Sequence, residues 1–169
     1  MSFLEVILKR RSIRRYKPKP IPKKVLNNIL EAGRRAPSAG NQQPWHFIVV
    51  TDQEIKRKLS TGMWNWPIKG SAVTIVGCGY IGDSYARKWS TIDVTIALEN
   101  MVIAAEAQGV GSCWIGDFNE EEVKEILGIP DDFKVVALVS LGYPAEQPSL
   151  KVKKPLKEIV SYDKFQKAD

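Results

Sequence analysis

One stretch constrains this chain more than any other: Thr91 to Gly116, TIDVTIALENMVIAAEAQGVGSCWIG. From Thr91 to Gln108 it contains no glycine and no proline. Ile92, Val94, Ile96, Leu98, Met101, Val102 and Ile103 leave few polar positions, so a helix here is apolar on most sides. Such a helix belongs in a domain core or a subunit interface. At about 1.5 Å per residue it reaches roughly 27 Å, the width of a small domain and short for a membrane span. Glu99, Asn100 and Glu106 also argue against lipid. Ser90 followed by Asp93 resembles a capping start, and Gly109 with Gly111 supplies a stop. Ala97, Ala104, Ala105 and Ala107 let another backbone come close. The expectation is a central helix that other elements pack on, a symmetry mate among them.

At 169 residues the chain reads as one domain, 1–169, able to bury a sizeable core. A net charge of +6 permits an anionic ligand without choosing one. Cys78 and Cys113 lie far apart with no CxxC, and read as buried free thiols. A single histidine, His46, excludes His-rich metal sites, so no metal is expected. It falls on a predicted strand and is expected to face the core. Ser2 to Lys9 is amphipathic and carries Glu5, unlike a secretory leader, which makes the cytoplasm the expected location.

The first helix opens with a capping box, Ser2 to Glu5, and carries apolar Phe3, Val6 and Ile7. It runs into RRSIRRY, where Arg10, Arg11, Arg14 and Arg15 surround Ser12. A basic run at a helix end is commonly a solvated face favoured by the helix dipole. Interleaving with Ser12, Ile13 and Tyr16 instead suggests side chains alternately turned inward, and guanidinium forks beside a hydroxyl suit a phosphate monoester. A second helix runs from Pro22 at its first turn to Arg35. Pro37 breaks it, Ser38 to Gln43 form a polar loop, and a strand follows from Trp45 to Val50. Loops of small residues and amides at the mouth of a buried strand often carry ligand contacts. TGMWNWPIKG is irregular, and its two tryptophans are expected in the core.

The run Gly77-Cys78-Gly79-Tyr80-Ile81-Gly82 fits GxGxxG. A dinucleotide fingerprint needs those glycines to open a helix inside a βαβ unit, with an acid ending the next strand. Here the candidate acids Asp93 and Glu99 fall in the central helix, so a strand ending in a turn is the better reading. DSYARKWS then reads as a short polar piece before that helix. SCWIG reads as extended, NEEEVKEILG as a helix capped by Asn119 and stopped by Gly128, and FKVVALVSLGYP as a buried strand. The basic tail KVKKPLKEIVSYDKF has little core of its own and should dock on something.

Taken together, RRSIRRY, APSAGNQQPWHFIVV, ALENMVIAAEAQGVGSCWIG, EILGIPDDFKVVALVSLGYP and the basic tail resemble the FMN-dependent nitroreductase family, in family order over nearly the whole chain. The resemblance implies an α+β fold with a central, mostly antiparallel sheet flanked by helices, and an intertwined homodimer with two FMN sites at its interface. By position, Arg10, Arg11, Ser12 and Arg14 look like phosphate and ribityl contacts, with Lys151 and Lys153 as further contacts to the phosphate. Pro37, Ser38, Ala39 and Asn41 look like the loop offered to the flavin of the other subunit. Ile115 and Gly116 look like the segment beside the isoalloxazine, and Asn65 is similar to a polar contact at its pyrimidine edge. The implied chemistry belongs to the cofactor: hydride from NADH or NADPH passes to flavin N5 and electrons leave to a nitroaromatic, quinone or similar oxidant, in ping-pong order. The catalytic residues would then be none.

Little room exists for the extra helices that roof the pocket in longer members, so a more open cleft is expected, with Tyr80, Tyr85 and Trp89 available as a partial lid. Other reactions on the same fold, such as dehalogenation or enone reduction, fit the same motifs. Outside the family, the readings are a Rossmann dehydrogenase using Gly77 to Gly82, and a basic nucleic-acid binder, which no recognised motif supports.

Overall fold

The structure is a computed structural model, and it describes residues 2–166. Four strands, β1 (Trp45–Val50), β2 (Val73–Tyr80), β3 (Gly111–Ile115) and β4 (Phe133–Gly142), form one sheet in the order β1-β2-β4-β3, every pair antiparallel. Helix α1 spans Phe3–Lys9, α2 Lys23–Arg34, α3 Gln53–Lys58, α4 Pro67–Gly70, α5 Ser84–Ala107, α6 Glu120–Leu127 and α7 Leu156–Ile159. No helix among the described residues is long and apolar enough to cross a membrane.

Strand alternation sorts the core onto two faces of the sheet. Val73, Ile75, Ala137, Val139 and Leu141 pack with Trp45, Phe47 and Val49 against α5 and α2. Val50, Val76, Cys78, Val135, Leu138 and Ile115 pack on the other face with Leu59, just after α3, and with Ile68 and Val123 from α4 and α6. The register slips between Gly77, opposite Ala137, and Cys78, opposite Val135. The extra residue on β4 is a bulge, and it lets Val135 and Ala137 serve different faces.

Helix α5 is the long element the sequence indicates, but it begins seven residues earlier than Thr91. Asp83 is the cap, its Oδ1 accepting the Ala86 N–H at 2.8 Å, and DSYARKWS forms the first turns. Ser90 and Asp93 lie buried inside the helix instead of capping it. The C-terminal stop is as expected, with Gly109 at φ 72. Gly77 and Gly79 sit within β2, not at a helix start. A Cβ at Gly77 would lie 2.6 Å from Leu98 Cδ1, and one at Gly79 would lie 2.1 Å from Ser90 Oγ. The glycines therefore admit α5 to the sheet, and the antiparallel strands offer no βαβ unit for a dinucleotide.

Two further expectations are corrected. His46 is exposed, because β1 is an edge strand whose alternation sends Trp45 and Phe47 to the helices and leaves the imidazole edge-on to Phe133 at 6.2 Å. Trp64 and Trp66 are 68% and 43% exposed, because the loop turns Asn65, between them, and Ile68, after them, inward instead of the indoles. In α1, Val6 is buried while Phe3 and Ile7 are exposed.

The N-terminal segment after α1 is stapled to the sheet by Tyr16. Its hydroxyl donates to Ile13 O at 2.6 Å and accepts from Ser140 Oγ at 2.8 Å. Burial pushes the phenol well above its ordinary value.

Two outcomes follow from this packing. Gly79→Ala should cost about 1–3 kcal/mol in urea unfolding, because Ser90 and Val94 cannot both yield to the added methyl; unchanged stability with lost nicotinamide binding would instead favour the dinucleotide reading. For Tyr16 the folded pKa exceeds the unfolded one, so stability is full below pH 10.0 and declines as pH rises past it. Tyr16→Phe should flatten that alkaline decline and cost about 1 kcal/mol near neutrality, measured by urea unfolding across the pH range; equal declines in both proteins would refute the assignment.

Candidate functional site

The arginine run leaves α1 as an extended strip beside β3. Ser12 bridges Ser112, and the Ile13 N–H donates to Ser112 O at 2.8 Å, which buries Ile13 and turns Arg14 outward. Farther on, the Lys17 N–H donates to Tyr143 O and the Ala145 N–H to Arg15 O. Glu146 Oε1 closes this short ladder by accepting the N–H groups of Arg14 at 2.7 Å and Arg15 at 3.1 Å. The chain leaving β4 is thereby laid along the strip that leaves α1.

The consequence is a cleft of about 170 Å³ between two walls. Arg10, Arg11, Ser12 and Arg14 form one wall; Lys151 and Lys153, with the backbone from Pro148, form the other. Among the described residues none of these five cations makes an ion pair with a carboxylate. Arg11 Nε is buried with no hydrogen-bond partner among the described residues. An unpaired buried donor is costly, and an anion in the cleft is the chemical complement of this set. Cys113 lies near Arg10 and Arg14, yet burial still holds its thiol above the ordinary range; burial likewise pushes Cys78 up to about 11. Both are buried free thiols, as read from the sequence.

The loop of Pro37, Ser38, Ala39 and Asn41 is not in this cleft. The Ala39 N–H donates to Asp93 Oδ1 at 3.1 Å and the Gln43 N–H to Ser38 Oγ at 3.0 Å. Gly40, Asn41 and Gln43 all have positive φ, at 56, 56 and 52°. Glycine adopts such angles freely, but Asn41 and Gln43 are held there against the usual preference of side-chain-bearing residues, a feature that gathers at binding sites. The arginine strip lies beside Glu106, the loop beside Asp93, so within one chain they stand about 20 Å apart along α5.

Ile115 ends β3 and Gly116 follows it. The Ile115 side chain is buried in the core, leaving only its backbone available. Gly116 is exposed, and a Cβ there would meet nothing within 4 Å. Asp117 Oδ2 accepts the Trp64 N–H at 3.1 Å, which brings the aromatic loop alongside. Asn65 is buried, its Oδ1 accepting the Gly62 N–H at 2.9 Å. Tyr85 lies close to Gly40, while Tyr80 packs on Phe133.

Sequence reasoning missed Glu146 and the loop-holding role of Asp93. Each acts on a backbone far away in the chain, and local spacing carries no sign of such a bond.

The model of the Nitroreductase family matches residues 7–77 and 68–143. A relative from Archaeoglobus fulgidus, named as a candidate NADH dehydrogenase/NAD(P)H nitroreductase, is 39% identical over 155 residues, covering 85% of this chain and 86% of its own. The crystal structure of a nitroreductase family protein from Clostridium novyi superposes with a TM-score of 0.81 at 36% identity, over 89% of each chain. That of the NADPH:FMN oxidoreductase from Vibrio harveyi, complexed with NAD+, gives 0.93 at 26% identity over 99% of this chain and 79% of its own. With the fold, the order of motifs and the family match in agreement, this chain belongs to the nitroreductase family.

Proposed function

We propose that the chain is an FMN-dependent oxidoreductase that draws on NADH or NADPH, serves nitroaromatic, quinone or similar small-molecule acceptors in ping-pong order, and works as a cytoplasmic homodimer. The observation that carries this reading is the cation cleft with its unpaired Arg11 Nε. Arg10, Arg11, Arg14, Lys151 and Lys153 would hold a phosphate monoester, and the Ser12 hydroxyl would add one more hydrogen bond. FMN, when bound, supplies hydride uptake and electron delivery, so no side chain need act as acid, base or nucleophile. Gly116 leaves space for a flat ring at the end of β3, with only backbone facing it. The Vibrio harveyi relative, named for NADPH and FMN, supports the same pairing of donor and cofactor.

Two features favour a site shared between copies. The Pro37–Asn41 loop is shaped like a ligand contact yet lies far from the cleft of its own chain. Ile92 and Ile96 on α5 are 49% and 36% exposed, and Phe3, Leu4 and Leu8 on α1 lie bare as well. A second copy would cover this apolar surface and bring its loop to the first copy's cleft.

Purified protein should be yellow, bleach anaerobically on addition of NADH or NADPH, and recover colour with a nitroaromatic or quinone. By light scattering its mass should be twice the 19.0 kDa of one chain. Arg10→Ala with Arg14→Ala should lower FMN affinity about 100-fold by fluorescence titration, since two charge-assisted contacts are lost, with no change in circular dichroism. A colourless protein that takes up no FMN would overturn the proposal.

A further inference from the structure

We infer that Glu146 is a positioning residue for the anion cleft, acting as a hydrogen-bond acceptor for the backbone and not as a counter-ion. The inference rests on the anion-binding reading of the cleft proposed above.

Its Oε1 accepts two amide protons at once, from Arg14 at 2.7 Å and Arg15 at 3.1 Å. The Ala145 N–H meanwhile donates to Arg15 O at 2.9 Å. The carboxylate is therefore the final tie between the arginine strip and the chain that leaves β4. The second wall begins two residues later at Pro148. That wall has no packing of its own: Leu150 is 58% and Val152 98% exposed. Among the described residues, no backbone hydrogen bond joins 147–154 to the rest of the domain. The spacing of Lys151 and Lys153 from Arg10 and Arg14 thus depends on where residue 146 is fixed.

No arginine or lysine lies within ion-pair distance of this carboxylate among the described residues. It does not neutralise the cluster by contact. It holds the strip so that guanidinium groups which repel one another stay on one wall. Two accounts of Glu146 then differ in sign. If it acted only through its charge, removing a negative group near a cationic cleft would tighten anion binding. If it acts as the acceptor, removing it frees two amides and the wall beyond, and anion binding weakens.

The test is calorimetric titration of the full chain with inorganic phosphate and, separately, with FMN, at one fixed low salt concentration. Glu146→Ala should weaken both about tenfold, as for loss of hydrogen bonds to a charged group. Glu146→Gln keeps an acceptor oxygen in place and should bind as tightly as the parent or more tightly. Glu146→Asp keeps the charge but withdraws the oxygen by one methylene, and should bind more weakly than Glu146→Gln. Binding by Glu146→Ala at parental strength or better, or a Gln variant as weak as the Ala variant, would overturn the inference. Where Glu146→Ala does not fold, the other pair decides, and Asp equal to or tighter than Gln overturns it. A parent that binds phosphate in a Glu146-dependent way but takes no FMN would sink the flavin reading and leave this inference standing. A parent that binds FMN with no effect of Glu146→Ala would do the reverse, and one that binds neither anion sinks both.

Discussion

Helix α5 lies as close to the sheet as it does because Gly77 and Gly79 place no side chain beneath it. That close approach buries Val94, Leu98, Met101 and Val102 completely, each worth roughly 1.5–3 kcal/mol against exposure. Helix α2 is admitted in the same way, for a Cβ at Gly33 would lie 2.1 Å from Met101 Cε. Once α5 is seated, the remaining pieces of its face take positions along its length. Asn28 of α2 donates to Gln108 at one end, and Asn100 donates to Ala32 O nearer the middle. Ala39 meets Asp93 beyond that. The helix thus fixes how far the strained loop stands from the arginine strip, and that separation is what a second copy would bridge.

On the strip itself the physical problem is like charge. Arg10, Arg11, Arg14, Lys151 and Lys153 share one small cleft without a carboxylate in ion-pair contact among the described residues. Such a cluster raises the energy of the unliganded protein, and backbone pairing offsets the cost. Ser12 and Ile13 join β3, Tyr16 is bonded over Ser140, and Arg15 is laddered to Ala145. On the proposed reading an arriving anion would relieve that repulsion, and the arginine strip that would receive it is already held by the sheet.

Much of this was legible in the residues, and the pattern of success has a physical basis. Caps made by a side chain to its own helix could be read directly, as at Ser2 with Glu5 and at Asn119, because the partners are a few residues apart. The start of α5 was misplaced for the opposite reason. Ser90 and Asp93 are capping residue types that the fold spends on tertiary contacts and close packing. The glycines of β2 have a nucleotide-like spacing, yet spacing alone cannot tell a phosphate turn from a surface a helix must approach. Arg10, Arg11, Ser12, Arg14, Lys151 and Lys153 came from a family resemblance, and the fold brings these two distant groups to one cleft. Glu146 could not be read at all, since its partners lie 132 and 131 residues away.

The central claim is that this cleft recognises a phosphate group. Riboflavin and FMN differ only by that group, so a paired affinity titration isolates it. The account predicts that FMN binds at least about 100-fold more tightly than riboflavin, for a monoester held by several charge-assisted hydrogen bonds, and that the gap narrows as salt rises. Equal affinities for the two, or a gap that salt does not touch, would contradict it.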